Sequence, residues 1–163
     1  MLLSPLEGRW TLPGPSGESN TLDYRPRGRV LCTAAERGAL WEQLAAVLAT
    51  GNRALVLGRT GTAESLATLP PTVLARIDAC SGLDELSFEA VLHPGPAAAS
   101  CPVPGGGDAH WLAWRRALAA RPGARLALVV PGAEGYELAR LVAERVVSTN
   151  TAAAGGNASL LSL

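Results

Sequence analysis

The sequence contains no lysine. All fourteen of its basic residues are arginine, which excludes Schiff-base chemistry, a lysine general base and the lysine of a phosphate-binding P-loop. Fourteen acidic residues bring the formal net charge to zero, which argues against a general electrostatic role on nucleic acid or on a membrane surface. The absence of lysine therefore excludes lysine-dependent catalysis, and the balanced charge argues against nucleic acid and membrane surfaces as partners.

Aromatic residues and cysteines are also scarce. Aromatics make up 4% of a chain that is 48% hydrophobic, so the core must be built mostly from Ala, Val and Leu. The cysteines, Cys32, Cys80 and Cys101, are widely spaced, with no C-x-x-C pair and no histidine at ligand spacing. This pattern predicts reduced thiols in a cytoplasmic protein, and neither a disulfide framework nor a metal site.

Targeting and membrane signals are missing as well. The first residues, M-L-L-S-P-L-E-G-R, lack the basic start and apolar core of a signal peptide. No apolar run approaches the roughly twenty residues that a membrane span needs. We therefore expect a cytoplasmic location and no transmembrane segment.

What the chain does contain is an alternation of short apolar runs with amphipathic segments. The predicted strands are Val30 to Thr33, Ala54 to Leu57, Phe88 to Leu92, Leu126 to Val130 and Val146 to Thr149. The predicted helices are Gly38 to Thr50, a segment near Ala63 to Leu69, a turn from Pro71 that carries Ile77, a helix after Asp108, and a last helix with Leu138, Leu141 and Val142. Unalternating apolar strands between amphipathic helices indicate a mainly parallel sheet covered on both faces, an α/β Rossmann-like fold.

The two ends of the chain differ from this middle part. Residues 1–29 are interrupted by Pro and Gly and predict an irregular arm, with a short strand or hairpin arm at Thr21 to Tyr24. After Arg145 there is no charged side chain, and between Ser148 and Ser159 nothing is larger than Asn. The predicted division is therefore an arm (1–29), a Rossmann-like domain (30–147) and an extended tail (148–163). The tail suits a narrow crevice on a partner, where bulk would clash; the alternative is a flexible Ala/Gly/Ser tail.

The turn Gly58 to Thr62 is the candidate for nucleotide binding, because it joins a strand to a predicted helix whose exposed N–H groups would attract phosphate. It lacks the G-x-G-x-x-G pattern, and Asp78 does not end the next apolar strand. An ordinary strand-to-helix turn is the favoured interpretation. A free-standing nucleotide-binding protein remains the alternative function.

No catalytic constellation is apparent. Cys32 lies inside an apolar strand and predicts a core residue, while Cys80 and Cys101 are placed in loops without an activating partner. His93 and His110 have no acidic orienting residue and predict packing or surface roles. The motif of Trp111, Trp114 and Leu118, on one helical face, predicts a core or interface contact.

Three stretches carry a family resemblance. They are L-P-G-P-S-G-E-S-N-T-L (Leu12 to Leu22), R-P-R-G-R-V-L-C (Arg25 to Cys32) and E-R-V-V-S-T-N-T-A-A-A-G-G-N-A-S-L (Glu144 to Leu160). Together they resemble the C-terminal domain of the long forms of proline utilisation A. The resemblance covers nearly the whole chain, although this chain has neither the catalytic barrel nor the aldehyde dehydrogenase motifs, so it looks like a C-terminal fragment, a separately encoded remnant or a product of gene splitting.

The resemblance implies a non-catalytic role for this chain. Members of that family join an FAD-dependent proline dehydrogenase to an NAD-dependent glutamate semialdehyde dehydrogenase, so FAD and NAD belong to the parent and no cofactor to this chain. The parent can be peripheral at the inner membrane. The extra domain is expected to pack over the aldehyde dehydrogenase module and close the cavity that passes the intermediate between active sites. A bare interaction module unrelated to proline is a further alternative. The expected docking residues are Gly14, Gly17, Glu18, Asn20, Ser148, Asn150, Thr151, Gly155, Gly156, Asn157 and Ser159.

Overall fold

The computed structural model describes residues 6, 8–58, 66–82, 87–95 and 108–150. Most of the helix predicted near Ala63 to Leu69, together with Cys101 and the tail from Thr151 onward, lies outside the described residues. The chain forms two compact units, one of Met1–Arg25 with Ala143–Leu163 and one of Pro26–Val142. The first unit thus groups the N-terminal arm with the C-terminal segment, a pairing that the division predicted from sequence does not include.

The described residues form eight strands and four helical segments. The strands are β1 (Arg9–Leu12), β2 (Glu18–Pro26), β3 (Arg29–Cys32), β4 (Arg53–Leu57), β5 (Ile77–Cys80), β6 (Ala90–Leu92), β7 (Ala127–Val129) and β8 (Val142–Asn150). The helices are α1 (Arg37–Ala49), α2 (Pro71–Leu74), α3 (Asp108–Ala119) and a 3-10 helix (Leu138–Leu141).

The larger unit is built on a five-stranded parallel sheet in the order β5-β4-β3-β6-β7. Val30 in the central strand β3 pairs with Ala54 of β4 on one side and with Ala90 of β6 on the other. The chain lays down β3, β4 and β5 toward one edge and then returns to place β6 on the other side of β3. The mainly parallel α/β sheet predicted from the sequence is confirmed, and its strand order reverses between β3 and β6.

Both faces of this sheet are covered. Val30, Cys32 and their counterparts on the neighbouring strands pack with α1 and the 3-10 helix in one core cluster. Leu31, the residue between them, packs with Trp114 and Leu118 of α3 in a second cluster. Since successive strand residues face opposite sides, every position of such a strand must be apolar. This explains the unbroken apolar runs, and it confirms helices on both faces.

Helix α1 follows its sequence signals closely. The carboxylate of Glu36 accepts hydrogen bonds from the N–H groups of Gly38 and Ala39, both at 2.9 Å, and caps the first turn. These bonds hold the pKa of Glu36 below its ordinary value. Leu40 and Leu44 are buried on the predicted face, and the helix ends before Gly51, whose φ of 76° only glycine adopts easily. The predicted helix and its stop are confirmed.

Two predictions about secondary structure in the larger unit are wrong. Ile77 was placed on a helical turn and Cys80 in a loop, but both belong to strand β5. This strand escapes recognition because it carries Asp78 and lies at the edge of the sheet, where a charged side chain reaches solvent. The helix predicted around Leu138 is a single 3-10 turn, and Val142 already begins a strand.

The smaller unit is a three-stranded sheet in the order β1-β2-β8. Strands β1 and β2 form an antiparallel hairpin, with Arg9 opposite Asp23 and Leu12 opposite Asn20. The arm is therefore regular where the sequence suggested irregular chain, and the strand predicted at Thr21 to Tyr24 is confirmed within β2. The last strand is confirmed too, but it is longer than predicted and joins this sheet.

Candidate functional site

The first place to look for a ligand is the point where the strand order reverses. In parallel α/β sheets, ligands bind in the crevice outside the carboxyl ends of the two strands that flank this point. Here those ends are the residues after β3 and after β6, namely Thr33 and His93. The function of the larger unit therefore depends on what occupies this position.

Gln43 of α1 occupies it. Its side-chain oxygen accepts a hydrogen bond from the N–H of Ala34 at 3.0 Å. Its amide nitrogen donates to the carbonyl of Leu92 at 3.1 Å and to the hydroxyl of Tyr136 at 2.9 Å. The glutamine is 0% exposed, so one buried side chain joins the ends of β3 and β6 to the segment before the 3-10 helix.

The groups around Gln43 are bonded to one another as well. The hydroxyl of Tyr136 donates to the carbonyl of His93 at 3.1 Å, and the hydroxyl of Thr33 donates to the carbonyl of Leu92 at 3.0 Å. All of these side chains are buried. The polar groups that the structure describes at these two strand ends are thus bonded to one another within the chain.

The first residue of the candidate nucleotide-binding turn is also hydrogen-bonded within the chain. The N–H of Gly58 donates to the carbonyl of Cys80 at 2.6 Å, which extends the β4–β5 pairing and leaves this N–H unable to bind a phosphate. The carboxylate of Asp78 lies 3.1 Å from the guanidinium of Arg53 and 3.8 Å from that of Arg29. These arginines are the first residues of β4 and β3, so Asp78 lies at the amino end of the sheet. Arg59 to Thr62 lie outside the described residues.

The thiols of two of the three cysteines lie within the described part of the chain. Cys32 and Cys80 are both buried, and burial raises the pKa of the Cys32 thiol strongly. His93 is a packing residue, with edge-to-face contacts to the rings of Trp111 at 5.1 Å and Trp114 at 6.2 Å between centroids. Within the described ranges, no group of three or more His, Cys, Asp or Glu residues is arranged to hold a metal ion.

Among the helices that the structure describes, none is long and apolar enough to cross a bilayer.

The three-stranded sheet of the smaller unit has one charged face, centred on Asp23. Arg25 forms two hydrogen bonds to its carboxylate, both at 3.1 Å. Arg9 of β1 lies at 3.5 Å and Arg145 of β8 at 3.9 Å. Since the three arginines come from three different strands, one carboxylate links the whole sheet.

This arrangement makes the sheet sensitive to acid. The hydrogen bonds from Arg25 hold the pKa of Asp23 below its ordinary value; burial opposes this effect, and the charges of Arg25, Arg145 and Arg9 reinforce it. A lowered folded-state pKa stabilises the sheet above the unfolded value of about 3.9, and this contribution is lost as pH falls through the folded-state pKa.

We expect Asp23→Asn to loosen the sheet at neutral pH. The change removes the charge that three guanidinium groups share, so the backbone amides of β2 should exchange with deuterium about tenfold faster in the full chain. The variant should also lack the acid-dependent loosening of the native chain. Glu18→Gln, on the same strand and bonded to Asn20 rather than to an arginine, is the control. Equal exchange in the two variants would contradict the linking role of Asp23.

The opposite face of this sheet carries several apolar side chains that are partly exposed. Trp10 pairs with Leu22 across the hairpin and contacts the ring of Tyr24 at 5.6 Å, edge to face. Because strand neighbours face opposite sides, Val146 lies on the side opposite Arg145 and joins these residues. Trp10 is 36% exposed and Val146 59% exposed. We call this surface of Trp10, Leu22, Tyr24 and Val146 the apolar face.

Four predicted docking residues share the apolar face by strand alternation: Glu18, Asn20, Ser148 and Asn150. Gly14 lies against it, because a Cβ there would come within 2.6 Å of the Asn20 amide nitrogen. Gly17 turns the hairpin with a φ of 86°. The remaining predicted docking residues, Thr151, Gly155, Gly156, Asn157 and Ser159, lie outside the described residues.

Trp10 and Val146 are absent from the predicted docking set. The sequence signal was available for Trp10, a large aromatic in an arm otherwise broken by Gly and Pro. It was not available for Val146, since the apolar pair Val146-Val147 does not say which side chain faces the hairpin. The hairpin pairing and the ion pair of Arg145 decide this.

Proteins with similar sequences are bifunctional PutA proteins. The chain is 40% identical over 162 residues to the bifunctional protein PutA of Rhizobium meliloti, a match that covers 93% of the chain and 12% of that protein. It is 38% identical over 156 residues to PutA of Salmonella typhimurium and 38% over 157 residues to PutA of Escherichia coli K12, each match covering 93% of the chain and 11% of the relative. No protein-family model matches the sequence.

A solved structure shows the same fold. The structure described as the substrate-bound state of Staphylococcus aureus AldH superposes with a TM-score of 0.50 over 76% of this chain and 28% of that one, at 16% identity. The larger unit thus has an aldehyde dehydrogenase-like fold. The chain is thus similar in sequence to a part of PutA, and its fold is like that of an aldehyde dehydrogenase. It spans about an eighth of the length of the curated relatives it matches.

Proposed function

We propose that the chain is a non-catalytic domain of a bifunctional enzyme that oxidises proline to glutamate. Its place is the C-terminal end of that enzyme, where it packs on the aldehyde dehydrogenase module and closes the cavity between the two active sites. The identity of 37–40% to PutA proteins supports the parent enzyme. To this parent enzyme the proposal adds a specific role for the domain, as a lid over the cavity.

The observation that carries the non-catalytic role is the filled switch point. In an aldehyde dehydrogenase-like sheet, a ligand would bind in the crevice between β3 and β6. In this chain the side chains of Gln43 and Tyr136 fill that crevice. A ligand there would have to break buried hydrogen bonds that the chain already satisfies, at a cost of about 1–3 kcal/mol for each group left unpaired. The FAD and NAD of the reaction therefore belong to other modules of the parent.

The apolar face supports the assembly role. An indole and a valine side chain exposed on one face of a thin sheet bury apolar area only when a second surface covers them. The predicted docking residues Glu18, Asn20, Ser148 and Asn150 flank the apolar residues, which gives the contact a polar border. The uncharged tail from Thr151 onward extends the proposed contact in sequence. Its partner is the aldehyde dehydrogenase module, in a parent located in the cytoplasm.

The size of the native assembly tests the parent directly. The chain alone has a mass of 16.8 kDa. We expect the native protein in cell extract to migrate either as one much longer polypeptide or together with a separate aldehyde dehydrogenase module. A protein that migrates alone at the mass of this chain would contradict the assembly role.

A paired substitution tests the apolar face. Trp10→Glu with Val146→Glu, made in the assembled enzyme, places two charges on the proposed contact. We expect the coupled conversion of proline to glutamate to fall about tenfold, because each desolvated charge costs the contact about 1 kcal/mol or more. Proline dehydrogenase activity, measured with an artificial electron acceptor, should remain.

The control for this pair is Thr11→Glu, the exposed neighbour of Trp10 on the opposite face of β1. It introduces one carboxylate next to Trp10 without touching the apolar face. If the control lowered the coupled rate as much as the pair, or if the pair left that rate unchanged, the proposed contact would be wrong.

A further inference from the structure

The larger unit has a cleft that the proposed assembly role does not use. It lies between α3 and the edge strand β7, and its volume is about 630 Å³. Sites for small organic molecules have volumes of about 300–1,000 Å³. Leu118, Leu126 and Leu128 supply an apolar floor.

Three arginines line the cleft: Arg115, Arg121 and Arg125. The chain has no acidic residue between Asp108 and Glu134, so neither Arg115 nor Arg125 has a carboxylate close to it in sequence. Among the described residues, the ion pairs involve Asp23 and Asp78, and neither Arg115 nor Arg125 belongs to them. In a chain whose formal net charge is zero, this cleft concentrates positive charge.

Two of the lining side chains are held in place. The guanidinium carbon of Arg121 lies 4.5 Å from the centroid of the buried Phe88 ring, a cation–π contact that holds this side chain in place. The indole of Trp111 contacts the ring of His93 edge to face at 5.1 Å, which fixes the aromatic wall. A preorganised aromatic wall beside guanidinium groups lowers the entropy cost of binding.

We propose that this cleft binds a small organic anion, a carboxylate or phosphate group carried on an apolar or aromatic body. Guanidinium groups match both anions through paired N–H donors, and the leucine floor and Trp111 suit the apolar body. A polyanion such as nucleic acid needs a row of phosphate contacts along an extended surface, whereas here the charge lines one concave site.

The test measures the binding of phenyl phosphate to the full chain by calorimetry at low salt. We expect a dissociation constant of about 1 mM or below. Benzyl alcohol, which keeps the aromatic body without the charge, and inorganic phosphate, which keeps the charge without the body, should each bind at least about tenfold more weakly. No binding of phenyl phosphate at about 10 mM would overturn the proposal.

Arginine substitutions locate the site. Arg115→Ala with Arg125→Ala should weaken phenyl phosphate binding about tenfold or more, while Arg116→Ala, the next residue on the same helix and outside the cleft, should change it less than about twofold. All three side chains are exposed, so folding should be unaffected. Equal loss in the pair and in the control would show non-specific attraction and overturn the site. Tighter, steeply salt-dependent binding of a single-stranded oligonucleotide would overturn the small-molecule ligand.

Discussion

Gln43→Leu is expected to destabilise the chain by about 3 kcal/mol, although leucine matches glutamine in size. The substitution leaves the buried N–H of Ala34 without an acceptor and removes the donors to Leu92 and Tyr136. An orphaned buried donor costs about 1–3 kcal/mol, and each lost hydrogen bond about 1 kcal/mol more. Urea unfolding of the whole chain measures the loss, which corresponds to a fall in Tm of roughly 10 °C.

Glu42→Gln is the matched control for this prediction. Glu42 precedes Gln43 on α1 and is exposed, so its substitution should change stability by less than about 0.5 kcal/mol. If Gln43→Leu cost no more than the control, the network at the switch point would not hold the ends of β3 and β6 together. The proposed closure of the crevice would then have no energetic basis.

Trp114→Ala is expected to have the largest effect, about 4 kcal/mol of lost stability. Trp114 is 0% exposed and lies at the centre of the core cluster between α3 and the sheet, with Leu31, Leu55 and Val91. Alanine at this position leaves a cavity between α3 and the sheet, because the surrounding structure relaxes only partly. Because α3 carries Arg115, phenyl phosphate binding should be lost as well.

Two variants separate packing from other causes. Leu112→Ala removes a side chain that is 47% exposed on the same helix and should cost less than about 1 kcal/mol. Trp114→Phe retains an aromatic ring, and the indole N–H it removes has no acceptor among the described residues, so we expect a loss of about 1–2 kcal/mol. A loss as large as that of Trp114→Ala would contradict the cavity explanation.

The elements that the sequence predicted well are those buried on two sides. β3 and β4 are unbroken apolar runs because helices cover both faces of the sheet, and α1 carries both a periodic apolar face and a glycine stop. β5 was not predicted because an edge strand tolerates the charged Asp78. The helix predicted at Leu138 was wrong because a short apolar run fits either a helix or a strand.

The candidate sites were harder to predict than the fold. Gln43 is one polar residue on an amphipathic helix, and nothing local distinguishes a buried glutamine from a solvated one. The arginine cleft likewise combines Trp111 and Arg125, which belong to separate predicted elements. The docking residues Glu18 and Asn20 came from a family resemblance, and their function as a contact stays a proposal.

The sequence by itself determined the α/β class, the absence of lysine chemistry and the likeness to proline utilisation A, because composition and local periodicity follow from residues that are neighbours in the chain. The tertiary structure alone decided that the last strand pairs with the first hairpin, that Asp23 gathers three arginines, and that Gln43 joins the ends of β3 and β6. Each of these depends on contacts between residues far apart in sequence, and such contacts form only when strand order and register bring those residues together.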